Sequence, residues 1–113
     1  MPIIEQKTVS AMNKAGGKGE MFITHLLTPK ELADKCAMFA SVRIPVGASL
    51  GVHQHKGNTE TYYVIQGTGL YTDNGATYTV KAGDTTFCAD GDTHGIENIG
   101  DDDLIFIALI INS

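Results

Sequence analysis

The stretch "GASLGVHQHKGNTETYYVIQG", residues 47–67, sets two histidines one residue apart and a glutamate five positions beyond the second. Strand-forming residues lie on both sides of it. In a strand, residues i and i+2 share a face, roughly 6–7 Å apart. His53 and His55 therefore project to the same side, and both imidazoles can reach one ion. Glu60 opens the next strand after "KGNT", whose Gly57 and Asn58 suit a turn. A hairpin there brings Glu60 beside the histidine strand. Glu60, Tyr62 and Val64 share one face of their strand, and Tyr63 points to the other.

Working outward, "ADGDT" (89–93) is a turn-forming stretch, and His94 follows it at the start of "THGIEN" (93–98). Nitrogen and carboxylate ligands from three strands fit a divalent transition metal without any thiolate. Three of the chain's four histidines fall in this group. Three His and one Glu leave one or two positions open in five- or six-coordinate geometry, and an open position distinguishes a reactive site from a closed structural one. Such a set suits one ion of Mn, Fe, Co, Ni, Cu or Zn, and the ligands do not choose among them.

The rest of the chain reads as strands cut by thirteen glycines. The segments are "GEMFITHLL" (19–27), "AMFASVRI" (37–44), "SLGVHQH" (49–55), "ETYYVIQG" (60–67), "GLYTDN" (69–74), "ATYTV" (76–80), "DTTFCA" (84–89), "THGIEN" (93–98) and "LIFIALII" (104–111). They are rich in β-branched and aromatic residues and bounded by turn formers. Asn74-Gly75 between two such runs predicts a type I′ hairpin. "TPKE" (28–31) is the one helix start, with Thr28 as cap, Pro29 at the first position and Glu31 completing a capping box. The helix expected is short, about "PKELADK" (29–35). The 113 residues form one all-β sandwich or barrel domain, with an N-terminal arm over about 1–18.

At 42% hydrophobic and 19% charged, the chain can bury a core. A net charge of −5 without any basic cluster excludes a nucleic-acid or anionic-membrane partner. Residues 1–14 carry neither a basic n-region nor a long apolar stretch, so no signal peptide is expected. The longest apolar run, 104–111, falls far short of the roughly 20 residues that span a bilayer. Cys36 and Cys88 read as reduced, buried residues of a cytoplasmic protein. "LIFIALII" is apolar on both faces, so something covers its second face. A second copy, making a homodimer, is the simplest cover, and the N-terminal arm competes with it.

The two histidine segments resemble the two motifs of the cupin family. In the first, Gly47, five residues, His53-x-His55, four residues, Glu60, six residues and Gly67 stand in register. "GDTTFCADGDTHGIEN" (83–98) is similar to the second, with Gly83, Gly91, His94 and Asn98. It departs at Ala89, where the family usually has proline, which alters a turn and removes no ligand. The fifteen residues between the motifs are about the shortest spacing the family shows. The resemblance implies a double-stranded β-helix or jelly-roll barrel, a metal on His53, His55, Glu60 and His94, and commonly a homodimer. It does not imply a reaction, because one fold hosts many chemistries.

The expected function is a metal-dependent enzyme acting on a small polar, oxygenated metabolite by oxidative cleavage, isomerisation or elimination. The alternative is a non-catalytic barrel that binds metal and a small ligand. Tyr62 is the candidate catalytic side chain, competing with a plain strand aromatic. His25 reads as a core-edge or surface histidine rather than a fifth ligand. Arg43 reads as a surface charge or ion-pair partner rather than a grip on a substrate carboxylate. Cys88 reads as an inert buried thiol, and Asp101–Asp103 as a charged turn.

Overall fold

The computed structural model describes residues 2–113, so the first residue of the expected arm lies outside it. Ten strands run β1 (Lys7–Met12), β2 (Glu20–His25), β3 (Cys36–Ile44), β4 (Ser49–Gln54), β5 (Asn58–Gln66), β6 (Thr68–Asp73), β7 (Ala76–Lys81), β8 (Thr85–Cys88), β9 (Thr93–Asn98) and β10 (Leu104–Asn112). They form two antiparallel sheets, ordered β1-β2-β3-β10-β5-β8 and β4-β9-β6-β7. The all-β jelly-roll expectation holds, and nine of the ten strands match the segments read from sequence to within about two residues at their ends. The tenth, β1, lies in the expected arm. It pairs in register with β2, from Lys7↔His25 to Met12↔Glu20. As the edge strand it is separated from β10 by β2 and β3, so β1 does not lie over the outer face of β10.

Alternation places the core. On β5 the side chains of Glu60, Tyr62 and Val64 are buried while Tyr63 is exposed. Leu104, Phe106 and Ala108 of β10 are fully buried between the sheets. A side chain the size of Phe106 contributes about 2–3 kcal/mol by leaving water. Ile105, Ile107 and Leu109 alternate with them on the outer face, half-buried, beside exposed Tyr63, Ile65 and Phe87.

The hairpin turn behaves as its residues require. Asn74 and Gly75 both take positive φ, 48° and 88°, as a type I′ turn needs. The helix, α1 (Pro29–Leu32), is shorter than the 29–35 expected. Its start is as read: the Glu31 carboxylate accepts from the Thr28 N–H at 2.9 Å and the Thr28 hydroxyl at 2.7 Å. It stops because Ala33 takes φ 52°, and only Leu32 gives it a buried anchor.

A candidate metal centre

Strict alternation from buried Leu50 would turn His53 outward. The β4–β9 register shifts between Leu50 and His53, however, and this bulge returns His53 to the interior, opposite His94. Gly51, inside the shifted stretch, lets a neighbouring turn approach closely. A Cβ there would collide with the Ala15 carbonyl, because the 3₁₀ turn Lys14–Gly16 packs directly on β4 at this point. His55 follows at the end of β4, held by backbone bonds with the turn before His94: its N–H donates to Asp92 O, and its carbonyl accepts from the Gly91 N–H. That turn closes with Asp92 N–H donating to Ala89 O at 3.0 Å and Gly91 at φ 92°. Alanine in the proline position thus leaves the turn intact.

The four side chains converge. One ligand atom from each of His53, His55, Glu60 and His94 lies within 4.8 Å of every other. Nε2 of His55 and of His94 each lie 2.9 Å from Glu60 Oε1, and Nε2 of His53 lies 3.9 Å away. The opposite ring nitrogens are each engaged. His53 Nδ1–H donates to Gly51 O at 2.8 Å, and His55 Nδ1–H to Asn58 Oδ1 at 2.7 Å. His94 Nδ1 lies 2.8 Å from the Tyr71 hydroxyl. The oxygens opposite His53 and His55 can only accept, which puts the proton on Nδ1 and aims Nε2 inward, and the Tyr71 hydroxyl can accept from the same tautomer of His94. In neutral imidazoles so held, each Nε2 is an acceptor, and the Glu60 carboxylate is another. Acceptors so placed in a buried site need a proton or a metal ion among them, and His/carboxylate donors suit a divalent transition ion. The residues present fit a metal.

The titration of the group follows from the same geometry. Burial pushes the Glu60 carboxyl up, but the imidazoles of His53 and His94 outweigh it and hold the pKa at about 2. The Glu60 carboxylate raises His53 above its ordinary 6.5 against the effect of burial. Burial is the main influence on His94 and lowers it.

Beside the ligands lies a cavity of about 650 Å³, with His53, His55, Glu60 and Tyr62 at one end and Lys14 and His25 among its other linings. Tyr62 is buried and stacks on the His94 ring at a centroid distance of 4.9 Å. Burial, then the Glu60 charge, holds its phenol well above 10. Its hydroxyl and Thr86 Oγ1, neighbours across β5 and β8, are the buried side-chain polar atoms without a partner among the described residues. His25 stands outside the ligand group. Arg43 pairs with Asp103 at 3.5 Å and lies over the Phe22 ring at 4.1 Å, away from the cavity. Cys36 and Cys88 are free thiols; Cys88 is buried as expected, which pushes it up to about 11, whereas Cys36 is only half-buried.

Sequence reasoning missed Asn58, Tyr71 and Lys14. Asn58, three residues after His55 in a tight turn, carried a usable signal. Tyr71 carried none, because its proximity to His94 depends on the β6–β9 pairing.

The chain is 44% identical over 99 residues to an oxalate-binding protein of Thermotoga maritima, covering 88% of this chain and 82% of that protein. It is 35% identical over 83 residues to an uncharacterized protein of Methanocaldococcus jannaschii, covering 74% and 66% of the two chains. The crystal structure of a predicted oxalate decarboxylase from Thermotoga maritima superposes with a TM-score of 0.92 at 41% identity, covering 96% of this chain and 95% of that one. Residues 40–110 match the model of the Cupin domain, and the chain belongs to the cupin family.

Proposed function

We propose that His53, His55, Glu60 and His94 bind one divalent transition metal and that the protein acts on a small oxygenated acid at the positions they leave open. The observation that carries this reading is the convergence of four acceptor atoms within 4.8 Å in a buried site. Likeness to an oxalate-binding protein supports a carboxylate as the ligand. When bound, the ion supplies Lewis acidity, or redox chemistry if it is iron, manganese or copper.

The chain's own residues have separate tasks. Gly51, Asn58 and Tyr71 orient the three imidazoles. Tyr62 walls the cavity beside the ligands, and its buried hydroxyl remains protonated at neutral pH. Lys14 places a positive charge on the cavity lining and favours an anion. The apolar walls exclude water from the ligand.

A second reading, binding without turnover, is favoured by one feature. Apart from the four ligands, the cavity's titratable linings are Tyr62, His25 and Lys14, and Tyr62 is held far from a pKa useful for proton transfer. Elemental analysis of protein never exposed to chelator, beside a His53→Ala, His94→Ala double variant, tests the site. About one metal per chain, lost in a folded variant, is expected; no uptake of any transition metal overturns it. Consumption of oxalate by the loaded protein separates the enzyme from the binding barrel.

The same reading includes a homodimer through the outer face of β10 and β5, where Ile105, Ile107 and Tyr63 form an apolar surface. It also includes a cytoplasmic location, which suits two free cysteines. No helix among the described residues is long and apolar enough to cross a membrane.

A further inference from the structure

The cavity is larger and more apolar than a two-carbon acid requires. Its volume of about 650 Å³ falls within the range of pockets that enclose drug-sized molecules. Strand register gives its course along the inner face of the six-stranded sheet. Glu60, Ile110 and Met38 form one row, and Tyr62, Ala108, Ala40 and His25 form the next. Adjacent strands lie about 4.8 Å apart, so that second row runs about 14 Å from Tyr62 to His25. The small side chains of Ala108 and Ala40 keep the middle of the row low. Between the metal ligands at one end and Lys14 and His25 elsewhere, the lining is apolar, including Ile23, Met38, Leu50 and Ile110.

Two linked carboxylates would occupy the ligand end alone and leave these walls in water. An apolar body laid along them is favourable by about fourfold in affinity per buried methylene. We propose that the ligand of this site is an organic acid whose oxygens occupy the metal end and whose apolar body, several carbons long, fills the trough over Ile110, Met38 and Ile23. This inference rests on reading the four-residue group as a metal centre for acids.

Calorimetric titration of the full chain, loaded in parallel with Mn²⁺ and Zn²⁺, tests it. The probes are oxalate and unbranched 2-oxo acids, from pyruvate upward in single-carbon steps. Affinity is expected to rise about fourfold with each methylene until the trough is full. Met38→Trp fills the trough and is expected to abolish that rise, with metal content and oxalate affinity within about twofold of the parent. Val9→Trp, on the same lining, serves if Met38→Trp does not fold. Oxalate binding with no chain-length dependence overturns this inference alone, as does an unchanged dependence in a folded variant. Failure to take up these or any other divalent transition metal overturns the metal centre, and this inference with it.

Discussion

Tyr71→Phe isolates the role of one hydroxyl group. Tyr71 lies on β6, and its oxygen is 2.8 Å from Nδ1 of His94. His94 is fully buried, and its Nε2 faces Glu60 at 2.9 Å. For that Nε2 to offer a lone pair to a metal, Nδ1 must carry the proton and donate it to Tyr71. Burial pushes the Tyr71 phenol up to about 12, so it stays neutral at the assay pH. Phenylalanine keeps the edge-to-face contact with Tyr62, at 6.1 Å between ring centroids, and leaves one buried N–H without an acceptor. The metal-free protein should lose about 1–3 kcal/mol of stability, read by urea unfolding. With the imidazole free to change tautomer, metal affinity should fall about 10–100-fold, or about 1.4–2.7 kcal/mol. Competition against a fluorescent metal chelator at neutral pH measures this. Tyr78→Phe is the control, because Tyr78 pairs with Tyr71 on β7 yet is exposed. Metal affinity within about twofold of the parent in folded Tyr71→Phe, or an equal loss in Tyr78→Phe, would refute the reasoning.

Other outcomes follow from the same geometry. His53 is raised above 6.5 in the metal-free fold, so at pH 6.5 more than half of the molecules carry a proton that the metal must displace. Calorimetry in buffers of different ionisation enthalpy should show that release near pH 6.5 and its disappearance at high pH; no release near pH 6.5 would contradict the assignment. For the metal-free fold, the raised His53 pKa stabilises fully below 6.5 and is lost as pH rises through its folded value. The depressed Glu60 pKa stabilises above its ordinary 4.5 and is lost as pH falls towards about 2. Gly51→Ala should cost about 1–3 kcal/mol in thermal or urea unfolding and weaken metal binding, because the new Cβ meets backbone of Ala15 and Gly17. Lys14→Met should weaken oxalate binding to the metal-loaded protein and flatten its salt dependence while leaving metal content unchanged; a salt dependence equal to the parent's would remove Lys14 from anion recognition. Ile107→Glu, on the half-buried outer face of β10, should convert a dimer to a monomer in analytical ultracentrifugation. A parent that sediments as a monomer would dispose of that interface.

Much of this protein was legible from near neighbours in the chain. The Asn74-Gly75 turn, the strand segments, the helix start at Thr28 and the shared face of Glu60, Tyr62 and Val64 all depend on local conformational preference and a period of two. The spacing of His53, His55, Glu60 and His94 named the group that the structure brings together. Tertiary structure decided what local preference cannot carry. Alternation alone would have turned His53 outward from Leu50, and only the bulge at Gly51, packed under the Lys14–Gly16 turn, turns it in. Tyr71 meets His94 through the pairing of two strands more than twenty residues apart in sequence. The arm became a strand because β2 offered it an unpaired edge. Register and bulges arise from packing between distant segments. A residue's own neighbours therefore set its strand and its turn, while the opposite strand sets what its side chain faces.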